Sequence, residues 1–220
     1  MDTLVFDFDS TLVSVEGLDE LFERSLDGLP DREERVARFR EITDKGMAGE
    51  ISAESSLERR LQLLDVDRPL IERVADGIRM SLSPSVDRNR DFFRDQGDRI
   101  HVISGGFEEL IAPTLHRLGI SRNRLHAHRF RFDEGEKVVG IDPDTAMGRG
   151  GKPEALKRLS LDPSRVWVIG DGVTDLELKA LGLADRFVAY TEVRHREPVV
   201  RGADHIVRSM DELLNLLEAK

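Results

Sequence analysis

Four stretches of this chain carry acids, serines, glycines and a lysine in combinations that suit work on a phosphate ester. They are Asp7-Phe8-Asp9-Ser10-Thr11, Ser104-Gly105-Gly106, Lys152, and Gly170-Asp171-Gly172-Val173-Thr174-Asp175. Carboxylates gathered on one site repel one another, and a hard divalent cation with oxygen ligands, Mg²⁺ above all, is the simplest compensation. One carboxylate left facing phosphorus is ionised at neutral pH and can form a labile acyl phosphate that water later opens. A second acid two residues on can protonate the leaving oxygen and then activate that water, provided its pKa is raised, as neighbouring negative charge does. Positive charge for the phosphoryl oxygens is available from Lys152, and donors from the Ser104 hydroxyl and the amides near Gly105 and Gly106, where glycine permits close approach.

Such groups need a scaffold that brings distant segments together, and the apolar pattern supplies one. Thr3-Leu4-Val5-Phe6, Ile100-His101-Val102-Ile103 and Val166-Trp167-Val168-Ile169 are short, largely apolar runs. They read as buried parallel strands, each ending at one of the polar clusters. Arg186 to Tyr190 and His205 to Val207 add two shorter strands, and Leu110, Ile111, Leu115 and Leu118 mark a helix closed by Gly119. Met210 to Leu217 is read as a final helix, and Arg129 to Gly140 as a small hairpin around Asp133-Glu134-Gly135. Repeated strand–helix units imply an α/β fold, a Rossmann-like parallel sheet with helices on both faces. In such sheets ligands bind beyond the carboxyl ends of the strands, which is where the clusters stand.

Between the first strand and about Met80 the period changes. Leu18, Leu21, Phe22 and Leu26, then Leu57, Leu61 and Leu64, follow helical spacing with charges between them and no strand pattern. The chain is therefore divided into an α/β core of residues 1–13 and 82–220 and an all-helical insertion of residues 14–81.

Composition narrows the function classes. A net charge of -10 argues against nucleic acid or an anionic membrane as partner, since both need a basic footprint. No run approaches the roughly 18 to 20 uncharged apolar residues of a membrane span, and the expectation is a soluble, cytoplasmic protein. With no cysteine there is no thiolate metal site and no thiol nucleophile. The six histidines show no metal-ligand spacing; His126 and His128 form an H-x-H pair in a strand-like segment, and Trp167 is read as core. No Gly-rich nucleotide-binding motif opens a helix after a strand. The sequence leaves the oligomeric state open.

Taken together, Asp7-Phe8-Asp9-Ser10-Thr11-Leu12-Val13, Ser104-Gly105-Gly106-Phe107, Lys152 and Gly170-Asp171-Gly172 through Asp175 resemble the haloacid dehalogenase (HAD) superfamily and, within it, the phosphoserine phosphatase group. Their order and the helical insertion match as well, so the likeness spans essentially the whole chain. The resemblance implies that Asp7 is the nucleophile and Asp9 the general acid and base. It implies Mg²⁺ held by the Asp7 carboxylate, the Asp9 carbonyl and Asp171, with Asp175 supporting, and a phosphoryl group gripped by Ser104, the Gly105 amide and Lys152. Glu16 matches the position that binds the substrate ammonium, and Arg60, with Arg59 as its neighbouring rival, the position that binds its carboxylate. The insertion would be a cap that closes over a small phosphorylated metabolite, O-phospho-L-serine, in the last step of serine biosynthesis. Thr174 stands where the group usually has Asn, and Ala53 where a bulky apolar cap residue is common; both bear on the substrate pocket. The alternatives are a different small phosphomonoester, or a sensor module phosphorylated on Asp7 without turnover.

Overall fold

Apolar runs with no alternating polar residues are what strands require when helices cover both faces of their sheet. In the computed structural model these runs pair side by side. The structure describes residues 2–47, 50–145 and 147–219, apart from the side chains of Asp44, Met47, Ala53 and Arg149; the expectation for Ala53 therefore lies outside the described side chains. β1 (Thr3–Phe6) is followed by four helices, α1 (Gly17–Ser25), α2 (Arg32–Met47), α3 (Ala53–Leu61) and α4 (Arg68–Arg79). Then come α5 (Pro84–Arg88), α6 (Arg90–Asp95), β2 (Ile100–Phe107), α7 (Glu108–Leu118), β3 (Leu125–His128), β4 (Phe130–Phe132) and β5 (Val138–Ile141). The chain ends with α8 (Gly151–Arg158), β6 (Val166–Gly170), α9 (Val173–Ala180), β7 (Arg186–Tyr190), α10 (Glu197–Gly202), β8 (His205–Val207) and α11 (Met210–Glu218).

Six strands form a sheet in the order β3-β2-β1-β6-β7-β8, every neighbouring pair parallel. The chain builds outward from β1 to β3, then crosses back to lay β6 on the other side of β1. That reversal opens a crevice at the carboxyl ends of β1 and β6, the place where such sheets bind ligands. Successive side chains of a strand point to opposite faces. Leu4 and Phe6 join a core with Val102, Trp167, Phe93, Leu110 and Met210, while Val5 packs with Val168, Phe187, Leu156 and Leu178 on the other face.

The two connections to the helical insertion run antiparallel. Val13 bridges Leu82, the Ser14 amide donates to the Ser81 carbonyl at 2.8 Å, and the Ser83 amide to the Leu12 carbonyl at 3.0 Å. α4 buries Ile71, Val74, Ala75 and Ile78, one stripe at helical spacing, in the core that also holds Leu110 and Ile111 of α7. The β4–β5 hairpin pairs Phe130 with Ile141 and Phe132 with Val138, and it touches the insertion where the Val138 amide donates to the Val66 carbonyl at 3.0 Å.

Two features differ from the sequence reading. The strand read over Ile100–Ile103 continues through Ser104-Gly105-Gly106 to Phe107, its register against β3 shifting between Ile103 and Phe107. The short helices α5, α6 and α10 went unread because five or six residues hold too few turns for a periodic signal. Among the described residues no helix is long and apolar enough to cross a membrane.

Candidate active site

β1 carries its chain to the carboxyl edge of the sheet, where the Asp7 amide still pairs with the Ile169 carbonyl at 2.9 Å. That bond fixes the Asp7 carboxyl over the crevice. Its Oδ1 accepts from the Phe8 amide at 2.7 Å and from Lys152 Nζ at 2.9 Å. Lys152 lies in the first turn of α8 and is buried at 6% exposure; its Nζ also donates to Asp175 Oδ1 at 2.6 Å. Burial alone would lower the Lys152 pKa, but the carboxylates of Asp175 and Asp7 reverse the sign and hold it charged.

β6 delivers the other two acids. The Asp175 carboxylate reaches back from the first turn of α9 to accept the Gly172 amide at 3.2 Å, a capping contact that also holds it beside Lys152. A side chain at Gly170 would place its Cβ 2.5 Å from Asp175 Cγ, so the strand must end in glycine here. Asp171 accepts from Arg196 Nε at 3.0 Å. Burial and the charge of Asp7 push Asp171 up to about 6, with Arg196 opposing, and push Asp175 up to about 8, with Lys152 opposing.

One oxygen each from Asp7, Asp171 and Asp175 lies within 4.8 Å of the others. An all-oxygen set, in which burial and the Asp7 charge raise the Asp171 and Asp175 pKa values, fits a hard divalent cation better than any soft or redox metal. The Asp9 side chain points elsewhere: its Oδ1 accepts the Gly17 amide, at the start of α1, at 2.9 Å. Burial and the charge of Glu16 raise Asp9 well above the usual carboxylate range, the Gly17 hydrogen bond opposes, and Asp7 adds to the rise. Ser104 Oγ is buried and accepts the Gly106 amide at 3.0 Å, which leaves its own hydrogen free to donate. Gly105 is exposed at the extended end of β2. A Cβ at Gly106 would stand 3.3 Å from Asp9 Oδ2, so glycine lets this strand end run against the acid.

The insertion faces the same crevice with two opposite charges. Glu16 Oε1 accepts from Ser10 Oγ at 2.6 Å, and Ser10 holds a left-handed φ of 54° to bring its hydroxyl there. Burial raises the Glu16 pKa, the Ser10 bond opposes, and Asp19 and Asp7 add to the rise. Arg60 Nη1 lies 3.9 Å from Asp19, its guanidinium is over the Phe39 ring, and its buried Nε has no hydrogen-bond partner among the described residues. It feels the charges of Asp19, Glu16 and Asp9. Arg59 is exposed instead. Thr174 is exposed in the first turn of α9, one residue before Asp175.

Sequence reasoning missed Arg196. It donates to Asp171 and comes within 4.0 Å of Glu16 Oε1, linking the two sides of the crevice. The signal was present, because Arg194-His195-Arg196 follows β7 at the same carboxyl edge as the recognised clusters. Among the described residues His126 and His128 belong to no group of three potential metal ligands: His126 Nε2 meets His101 Nδ1 at 3.1 Å, Arg124 occupies the far side of His101, and His128 packs on Phe107.

A family model described as haloacid dehalogenase-like hydrolase matches residues 4–179. Phosphoserine phosphatase of Drosophila melanogaster is 33% identical over 216 residues, covering 95% of this chain and 75% of its own. The chloroplastic phosphoserine phosphatase of Arabidopsis thaliana is 32% identical over 223 residues, covering 99% and 72%. Among solved structures, a phosphoserine phosphohydrolase-like protein from Francisella tularensis superposes with a TM-score of 0.85 at 29% identity, covering 98% of this chain and 99% of the other.

Proposed function

We propose, on the premise that this chain belongs to the haloacid dehalogenase-like hydrolases, that it is a Mg²⁺-dependent phosphatase hydrolysing O-phospho-L-serine through a phosphoaspartate on Asp7. The observation that carries the reading is a pairing across one crevice. Asp7, Asp171 and Asp175 crowd their oxygens within 4.8 Å on the sheet side, and Glu16 with Arg60 stands opposite on the insertion. The first set suits a cation and a phosphoryl group; the second suits the ammonium and carboxylate of an amino acid. The relatives named above act, by their names, on phosphoserine, which supports the same substrate.

Asp7 Oδ2 attacks phosphorus while the bond from phosphorus to the serine oxygen breaks. Asp9, protonated because its pKa is raised, delivers its proton to that oxygen. Lys152 and the Ser104 hydroxyl take up charge on the phosphoryl oxygens, and the Gly105 amide is the further donor. Water then attacks the phosphoaspartate, its proton passes to Asp9, the bond from Asp7 to phosphorus breaks, and phosphate leaves. Asp7, Asp171 and the Asp9 carbonyl would hold Mg²⁺, supported by Asp175; bound there, the ion supplies charge neutralisation and polarises a phosphoryl oxygen. Glu16 binds the ammonium and Arg60 the carboxylate, with Thr174 at the mouth, and residues 14–81 act as the cap that excludes water. Serine released this way is the product of serine biosynthesis. Asp9, an acid suited to activating water, favours turnover over a sensor that merely stays phosphorylated.

Phosphate release from a panel of small phosphomonoesters, with and without Mg²⁺, tests the substrate. Phosphoserine should give the highest kcat/KM; a better substrate lacking either the amino or the carboxyl group would refute it. Glu16→Gln should cost about 2 kcal/mol, roughly 30-fold in kcat/KM, on phosphoserine and leave p-nitrophenyl phosphate little changed, because only the first has an ammonium to lose its partner.

Metal binding has a readout independent of turnover. In the metal-free protein the folded pKa values of Asp171 and Asp175, about 6 and about 8, lie above their ordinary values. Their contribution to stability is therefore present at acid pH and is lost as pH rises through those values. Mg²⁺ binds the deprotonated set, so the rise in Tm on adding Mg²⁺ should be small at pH 5 and largest above pH about 8. A shift independent of pH would argue against these carboxylates as ligands.

A further inference from the structure

Outside the reacting groups, one carboxylate is held by an unusual number of donors. Glu192, two residues beyond β7, accepts the Ser85 amide on Oε1 at 2.9 Å and the hydroxyls of Ser85 and Tyr190 on Oε2 at 2.5 and 2.7 Å. Ser85 and Tyr190 are fully buried, and Ser85 Oγ also accepts the Met210 amide at 2.7 Å. Burial raises the Tyr190 phenol far above its ordinary range, the Ser85 contact opposes, and Glu192 adds to the rise, so the phenol stays a donor.

The position of this clamp matters more than its strength. Ser85 lies two residues after Ser83, whose amide and hydroxyl donate to the carbonyls of Leu12 and Thr11 in the loop that follows Asp7 and Asp9. Four residues beyond Glu192 is Arg196, 3.0 Å from Asp171 and 4.0 Å from Glu16, and Arg194 stands close enough to Asp19 to act on its charge. At its far end the loop enters α10, whose Val199 is buried. The short arginine-bearing loop is thus tied at both ends, and the tie at Glu192 is made to the foot of the returning connection from the insertion.

We propose that Glu192 is a positioning residue: by clamping this loop to Ser85 and Tyr190 it sets the reach of Arg196 toward Asp171 and Glu16 without itself touching substrate. A loop released at one end regains conformational freedom, and Arg196 must then be ordered anew at each binding event. The choice of phosphoserine as the assay substrate rests on the function proposed above; the coupling itself does not.

The test is a double-mutant cycle on Glu192→Ala and Arg196→Ala, reading kcat and KM separately and Tm beside them. Each single variant should lower kcat/KM for phosphoserine about tenfold, largely through KM, and the double variant should match Arg196→Ala to within about twofold. Losses that multiply, or an Arg196→Ala loss below about twofold, overturn the proposal. Tyr190→Phe removes one donor while keeping the ring, so it covers the case in which Glu192→Ala does not fold. It should give a smaller loss of the same kind that vanishes in the Arg196→Ala background; a loss that persists there marks a general structural role and also overturns the proposal. Should the wild-type protein fail to hydrolyse phosphoserine, the substrate reading falls, and the same cycle on its best phosphomonoester still decides the coupling.

Discussion

Asp7→Asn should abolish phosphate release, with a loss of at least about 10⁴-fold, while leaving the fold intact. An amide in place of the carboxylate is not a nucleophile, and no other described side chain takes the place of Asp7 at the head of β1, held by the Phe8 amide and Lys152. The substitution also removes the charge that helps to raise Asp171 and Asp175, so the metal-free variant should not melt below the wild type. Acid quenching during turnover should trap a phosphoryl group on the peptide containing residue 7 in the wild type and none in the variant. Substantial Mg²⁺-dependent release by the variant would remove the nucleophile assignment.

Asp9→Asn should slow turnover by roughly 10²- to 10⁴-fold, the span general acid–base groups supply, and should also change the shape of the pH profile. In the proposed mechanism Asp9 is protonated when the serine oxygen departs, so activity should fall as pH rises through its pKa. Burial and Glu16 raise that pKa in the folded protein, which places the loss on the alkaline side and extends the active range upward. An Asn side chain does not titrate, so the residual activity should lack this alkaline limb. A variant that kept the limb would assign it to another group.

How legible the site was depended on how local each residue's role is. Asp7, Asp171 and Asp175 were readable because each follows an apolar run, and parallel strands deliver their carboxyl ends to one edge. Lys152 was readable from its place in the order; its burial between Asp7 and Asp175 was not, since no local pattern marks a lysine as buried. Arg196 and Glu192 stayed hidden because their partners, Asp171, Glu16 and Ser85, are 25, 180 and 107 residues away in sequence. The last four residues of β2 lie beyond the strand read over Ile100–Ile103 because Ser-Gly-Gly breaks the apolar run locally, while pairing with β3 keeps the chain extended to Phe107.

By itself the sequence determined the period of each segment, and with it the parallel sheet, the helical insertion and the acids at the strand ends, because burial on one or two faces writes a repeat of fixed length into the chain. Tertiary structure alone decided which charges face one another: that Arg60 rather than Arg59 turns to the crevice, that Asp9 bonds Gly17 instead of joining the three crowded carboxylates, and that Arg196 bridges both sides. The physical reason is that Coulomb and hydrogen-bond energies depend on distance in space, and residues far apart along the chain leave no periodic trace of their meeting.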